Sequence, residues 1–159
     1  MAQKVVPFLW FDGDAEEAVR YYVSLLPESH IDHVMHSPAE TPSGPAGSVL
    51  TVAFTLAGTR FVALNGGPEF KFTEAVSFQI DCDDQAEVDR LWAALSKGGS
   101  ESACGWLKDR WGLSWQVTPK RLYQLLSDPD AGRAQRAMQA MLGMQKIDIA
   151  TLERAADGK

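Results

Sequence analysis

Apolar and polar positions along the chain spell one order of elements twice. Val5 to Phe11 is a short apolar run rich in β-formers, and Pro7 inside it predicts an edge strand or a bulge. After the turn Asp12-Gly13-Asp14, the stripe Ala15, Ala18, Val19, Tyr22, Val23 and Leu26 predicts a helix that stops before Pro27. Asp14 and Glu17 have the spacing of a capping box, in which each side chain bonds an orphan backbone N–H. His30 to His36 predicts a weak edge strand, Ser48 to Leu56 alternates cleanly, and Arg60 to Leu64 follows the turn at Gly58-Thr59. Residues 37–47 hold three prolines and two glycines and predict a mobile loop.

The second copy starts at Ala75. Ala75 to Asp81 alternates as a strand, and Asp83-Asp84 opens a helix with Val88, Leu91, Trp92 and Leu95 on one stripe. Glu87 lies three residues after its cap, Asp84, and Gly98-Gly99 ends the helix. Ser100 to Trp106 and Leu113 to Val117 predict further strands, the last one ended by Pro119. Setting Phe11–Leu26 against Ile80–Leu95 matches Asp12 with Asp81, Asp14 with Asp83, Val19 with Val88 and Leu26 with Leu95. Each copy reads β-α-β-β-β, and two such copies can pair into a curved sheet around a cavity. Helices then follow over Lys120–Leu126, Ala131–Met144 and Ile149–Ala156. The predicted fold class is α+β: paired βαβββ modules forming a cup-shaped mixed sheet, with a C-terminal helical tail. The modules span about 4–68 and 69–119, and the tail about 120–157, in one domain.

Charge narrows the partners. A net charge of −6 argues against a nucleic-acid backbone or an anionic membrane surface, and no apolar run is long enough to span a bilayer. No cleavable leader is legible at the start. Two cysteines, Cys82 and Cys104, do not make a disulfide framework, so reduced thiols in a cytoplasm are the expectation. The histidines, His30, His33 and His36, recur every third residue, which on a regular strand alternates faces and disfavours a metal cluster. The aspartates at 12, 14, 81, 83 and 84 are explained by turns and caps. Lys108-Asp109 reads as a hairpin tip or a solvated pair. Cys104, near Lys108 and Arg110, is either a small strand residue or a thiol made reactive by a cation.

Three segments carry a family resemblance: PFLWFDGDAEEAVRYYVSLLPES, FVALNGGPEFKFTEAVSFQIDC and CGWLKDRWGLSWQVTP. Together they resemble the PhnB-like branch, labelled 3-demethylubiquinone 3-methyltransferase-like, of the vicinal oxygen chelate superfamily. That superfamily includes glyoxalase I, bleomycin-resistance proteins and extradiol dioxygenases. The resemblance extends over roughly residues 5–155. It implies the paired modules, a cup and a homodimer. It also implies a divalent metal held from four strands, at positions that fall near Pro7, Asn65, Ser77 and Gln116. Of these only Gln116 is a ligand type the superfamily uses, so no bound metal or other cofactor is expected. Asn65-Gly66-Gly67-Pro68 is followed by Phe-Lys-Phe and a strand, so it is not the glycine-rich strand–turn–helix of a nucleotide-type methyl-donor site.

What remains is a cup for a planar or apolar small molecule. Its candidate ligand-binding residues are Trp10, Phe54, Asn65, Phe70, Ser77, Gln79, Cys104, Trp106 and Gln116. No catalytic residue is assigned. Alternation puts Gln116 and Ser114 on one face of the last strand and Leu113, Trp115 and Val117 on the other; the resemblance, whose final ligand position matches Gln116, implies that Gln116 and Ser114 face the cavity and that the other three lie in the core. The expected function is metal-free binding of a small molecule on this scaffold. The alternative is an enzyme of the same superfamily, of lyase, isomerase or transferase type.

Overall fold

The computed structural model describes residues 3–159. The chain divides into two compact units, one up to Phe72 and one from Thr73.

The first unit contains β1 (Phe8–Phe11), α1 (Ala15–Leu25), β2 (His30–His36), β3 (Val49–Leu56) and β4 (Thr59–Asn65). The sheet order is β1-β4-β3-β2, with β1 parallel to β4 and the other pairs antiparallel. Pro7 lies just ahead of β1, where its missing N–H interrupts no ladder bond and its carbonyl accepts from Val62 N–H. Leu9, Phe11, Val52, Phe54, Leu56, Phe61 and Ala63 are buried with the α1 stripe Ala15, Ala18, Val19 and Tyr22. Each large apolar side chain removed from water in this way contributes about 1.5–3 kcal/mol. Ala57 and Gly58 both have positive φ, the two-residue turn whose twist matches the β3–β4 hairpin.

The capping box expected at α1 does not form. Asp14 makes no side-chain cap bond, and the amide oxygen of Asn65 accepts from Ala15 N–H at 2.9 Å instead. The histidines also depart from simple alternation. The register of β2 on β3 shifts between Ile31 and His33, so His30 lies opposite Thr55 and His33 opposite Ala53. Thr55 and Ala53 share a face, and the bulge at Asp32 therefore puts His30 and His33 on one side. All three histidines are exposed.

The second unit contains β5 (Ser77–Cys82), α2 (Gln85–Ser96), β6 (Ser100–Glu101), β7 (Trp106–Lys108) and β8 (Ser114–Pro119). The helices α3 (Lys120–Leu126), α4 (Ala131–Leu142) and α5 (Ile149–Ala156) complete it. Its sheet order, β5-β8-β7-β6, repeats that of the first unit, with β5 parallel to β8. The α2 cap forms as the spacing predicts. Asp84 accepts from Glu87 N–H at 2.9 Å, and Glu87 reaches back to Asp83 N–H at 2.7 Å.

The predicted strand over Ser100–Trp106 is cut to two residues. Cys104 and Gly105 both take positive φ, and Trp106 N–H bonds the Ala103 carbonyl, so the chain turns sharply there. The segment after α4 clamps this turn: Cys104 N–H donates to the Met144 carbonyl and Gly105 N–H to that of Gln145. A Cβ at Gly105 would lie 3.0 Å from the Val117 carbonyl and 3.1 Å from Ile147, so glycine is needed both for φ and for the close approach. Leu122, Leu125, Ala137, Ile147, Leu152 and Ala156 form the buried cluster that holds the three tail helices together. Among the described residues no helix is long and apolar enough to cross a membrane.

Candidate functional site

The sheet of the second unit has two different faces, set by strand alternation. On one, Leu107, Trp115, Val117 and Cys82 are buried along with Val88, Leu91, Trp92 and Leu95 of α2. Trp115 is 3% exposed, and its indole N–H donates to the Asp109 carboxylate at 2.9 Å. Burial, with the Glu87 and Asp81 carboxylates nearby, pushes the Cys82 thiol up to about 12.

The opposite face is polar and carries a regular arrangement. Register puts Ser77 of β5 beside Ser114 of β8, Ser114 beside Lys108 of β7, and Lys108 beside Ser100 of β6. Four side chains thus form a row across all four strands. The next row holds Gln79, Gln116 and Trp106. The Gln116 amide donates to Ser77 Oγ at 2.9 Å. Gln79 accepts from Tyr123 Oη at 2.7 Å and donates to Asp81 at 2.7 Å.

A cavity of about 170 Å³ opens on this face, lined by Glu74, Ser100, Glu101, Ser102, Trp106, Leu107, Lys108 and Ser114. Ser114 is 1% exposed, and its hydroxyl is the buried side-chain oxygen left without a partner among the described residues. Burying a hydroxyl unsatisfied costs about 1–3 kcal/mol, and this one lies beneath the cavity wall rather than in its open space. Lys108 pairs with Glu74, and its ammonium, as hydrogen-bond donor, holds that carboxyl below the usual carboxylate range.

The candidate residues read from the sequence fall into two sets. Ser77, Gln79, Trp106 and Gln116 are brought together on the polar face just described. Cys104 is turned away from it, with its thiol 3.7 Å from the Met141 carbonyl at the end of α4. In the first unit, Trp10 and Phe70 meet edge to face with ring centroids 5.0 Å apart, and Phe70 is 58% exposed. Trp10 donates from its indole N–H to the Gly67 carbonyl at 2.8 Å. Phe54 is 0% exposed and stacked on Phe61, so it is a core residue with no surface to offer a ligand. Asn65 is buried with both ends of its amide engaged, accepting from Ala15 N–H and donating to the Val49 carbonyl. It fastens α1 to the sheet.

One further reading is corrected. Asp109 is not a solvated partner of Lys108. It is 3% exposed and accepts from the N–H groups of Trp111 and Leu113 as well as from Trp115, which closes the β7–β8 hairpin. An Asp two residues before Trp-Gly has the local signature of such an Asx turn. Lys108, absent from the candidate set, shares the face of Trp106 by simple period two. Of the glycines after Asn65, Gly66 serves packing, since a Cβ there would lie 2.3 Å from the Trp10 ring, and Gly67 takes a positive φ.

The donor positions implied for a divalent metal do not fit one. Pro7 has no side-chain donor, the Asn65 amide is consumed within its own unit, and Ser77 Oγ is held by Gln116. No group of three or more His, Cys, Asp or Glu among the described residues is placed to hold a metal ion.

Comparison with known proteins supplies the lineage. The family model described as 3-demethylubiquinone-9 3-methyltransferase matches residues 3–118, so the helical tail lies beyond the match. A putative 3-demethylubiquinone-9 3-methyltransferase, PhnB protein, from Bacillus cereus is 33% identical with a TM-score of 0.67, over 74% of this chain and 99% of that one. Protein PA1353 from Pseudomonas aeruginosa shares the fold at 22% identity and a TM-score of 0.62, over 74% and 98%. Fosfomycin resistance protein FosX from Mesorhizobium loti shares it at 14% identity and 0.50, over 72% and 89%. No curated protein matches the chain.

Proposed function

The chain belongs to the 3-demethylubiquinone-9 3-methyltransferase (PhnB-like) family and has the vicinal oxygen chelate fold, and from that footing we propose that it is a metal-independent small-molecule binding protein. The observation that carries this reading is the cavity on the polar sheet face of the second unit, lined by Trp106 and Lys108, with the buried Ser114 hydroxyl beside it left without a partner among the described residues. Cores satisfy their polar groups, and ligand pockets keep a few unsatisfied ones for orientation. Gln116 and Ser77 supply further polar contacts beside it, and the half-buried Trp106 supplies the apolar wall. The absence of fitting donors at the superfamily's metal positions supports binding without a metal. Methyl transfer receives no support from the glycines after Asn65, whose neighbourhood is a packed loop rather than a helix start.

The test is native mass spectrometry of gently purified protein, followed by a thermal-shift screen of chemically varied small molecules. Copurified mass, or a shift that Gln116→Ala abolishes, is the expected result. Stoichiometric zinc, nickel, manganese or iron would overturn the metal-independent part. A screen with no hit and no copurified mass would overturn the binding reading, and turnover of a hit would move the protein to the enzymes.

The assembly we propose is a homodimer. The edge strand β1 carries an exposed Phe8, and α4 exposes Met138 and Leu142. Unpaired edges and exposed apolar side chains are commonly covered by two-fold pairing. Light scattering at micromolar concentration should give twice 17.4 kDa, and a monomer there refutes it.

A further inference from the structure

We propose that the helical tail is the positioning device of the cavity: its extended strap, residues 144–149, holds the turn at Cys104-Gly105 in place and through it fixes Ser102 and Trp106 in the cavity wall. This goes beyond the small-molecule reading and concerns the cavity whatever it takes.

The turn is where the tail meets the wall. Ser102 N–H donates to the Trp106 carbonyl at 2.9 Å and Trp106 N–H to the Ala103 carbonyl at 3.1 Å, so Ala103, Cys104 and Gly105 form the tip that joins two cavity-lining residues. Cys104 has a φ of 57°, a left-handed conformation that is unfavourable for a residue with a Cβ and persists where the surroundings impose it. The tail supplies those surroundings. Cys104 N–H donates to the Met144 carbonyl at 2.8 Å, and Gly105 N–H to the Gln145 carbonyl at 2.7 Å. On its other side the Gly105 carbonyl accepts from Val117 N–H of β8 at 2.8 Å. With its Cβ position 3.1 Å from Ile147, Gly105 is wedged between strap and sheet. Trp106 is the next residue, so that wedge sets where its backbone lies on the wall.

The strap has its own anchors. Ile147 is fully buried. Gln85, half-buried at the start of α2, donates to the Ile147 carbonyl at 3.0 Å and accepts from Ile149 N–H at 2.8 Å, so one side chain grips the strap backbone at two points. Lys146 pairs with Asp89 of α2 at 2.6 Å, an exposed pair that adds little. The tail lies beyond the family match, which ends at residue 118, whereas the cavity lies within it. Docked, the strap leaves Cys104 and Gly105 one arrangement. Undocked, their N–H groups turn to water and Cys104 is free to return to negative φ, moving Ser102 and Trp106 with it. The shape of the cavity, and with it the affinity for a ligand, is thereby linked to docking of the tail.

Amide hydrogen exchange and the Trp106 indole signal, followed by NMR on the full chain without ligand, test this. Gln85→Ala removes the two-point grip on the strap, and Ile147→Ala removes its buried anchor. Each should speed exchange of the Cys104 and Gly105 N–H groups about tenfold beyond any change in the β5–β8 ladder, the scale of one net hydrogen bond. Each should also shift or broaden the Trp106 indole signal, and Ile147→Val, which keeps most of the anchor, should restore both readouts. If Ile147→Ala does not fold, Gln85→Ala carries the test. Exchange at Cys104 and Gly105 that rises only in step with the ladder shows a strap that does not open by itself, and overturns the proposal. So does an unmoved Trp106 indole beside accelerated exchange at the turn, the outcome for a tail that contributes stability alone. Because no ligand enters, failure here leaves the binding reading standing, and a ligand screen without hits leaves this coupling standing.

Discussion

Replacing Trp115 tests which face of β8 is the core. Trp115 is 3% exposed, contacts Phe78 with ring centroids 5.9 Å apart, and donates to Asp109 at 2.9 Å. Trp115→Ala removes the ring and leaves a cavity, a change that costs about 3–5 kcal/mol in well-packed cores. It also takes a donor from the buried Asp109 carboxylate, which keeps its bonds from Trp111 and Leu113 N–H. Trp115→Phe separates the two effects. It keeps most of the bulk and loses the indole N–H, so its cost should be about 1–3 kcal/mol, the range for leaving a buried acceptor short of a partner.

Gln116, one residue on, gives the contrast. It is half-buried on the open face, and its amide bond to Ser77 can be replaced by water. Gln116→Ala should therefore cost less than about 1 kcal/mol, in the range of ordinary surface changes. Urea unfolding of the three variants, compared at constant m-value, measures all of this. Domains of this size hold roughly 5–15 kcal/mol in total, so Trp115→Ala should lower the midpoint severely. An equal or larger loss in Gln116→Ala would refute the facing assignment, and a Trp115→Phe loss as large as Trp115→Ala would refute the role given to ring volume.

Three further outcomes follow from the same contacts. Asn65→Ala should destabilise the fold by about 1–3 kcal/mol, because it strips the α1 N-terminus of its acceptor and the Val49 carbonyl of its donor, with calorimetry as the check. Thiol titration at pH 8 should label Cys104 but not Cys82 in the folded chain, and both in denaturant, since the Cys82 thiol is pushed up to about 12 by burial and neighbouring carboxylates. Asp148 accepts from Thr151 N–H at 2.7 Å as the cap of α5, and the Thr151 bonds hold its carboxyl below the usual range. A depressed carboxyl stabilises above the ordinary carboxylate pKa and ceases to do so as pH falls through its folded value. Asp148→Ala should therefore cost about 1 kcal/mol at pH 7, with the difference from the parent chain shrinking as the carboxyl protonates in acid.

Periodicity made the element order legible because it is a local property. The β-α-β-β-β repeat, the α2 capping box and the opposite facings of Trp115 and Gln116 all follow from residues within one turn or one strand of each other. The misses share the opposite property. The α1 cap comes from Asn65, 50 residues beyond the N–H it serves, so Asp14 and Glu17 had the right spacing and the wrong competitor. Phe54 alternates as well as any residue of β3, yet alternation names two faces without saying which one a helix covers, and α1 covers that of Phe54. Ser100–Trp106 had the composition of a strand, but the tail's bonds to Cys104 and Gly105 hold a left-handed turn in its middle. The polar row shows the same division. Each of its members could be assigned a face from its own strand, whereas the row itself exists only through the register of four strands, and register is decided by pairing rather than by pattern. Ser114 is the sharpest instance: a serine beside a buried tryptophan looks ordinary in sequence, and only the paired strands show that its hydroxyl is buried without a partner among the described residues.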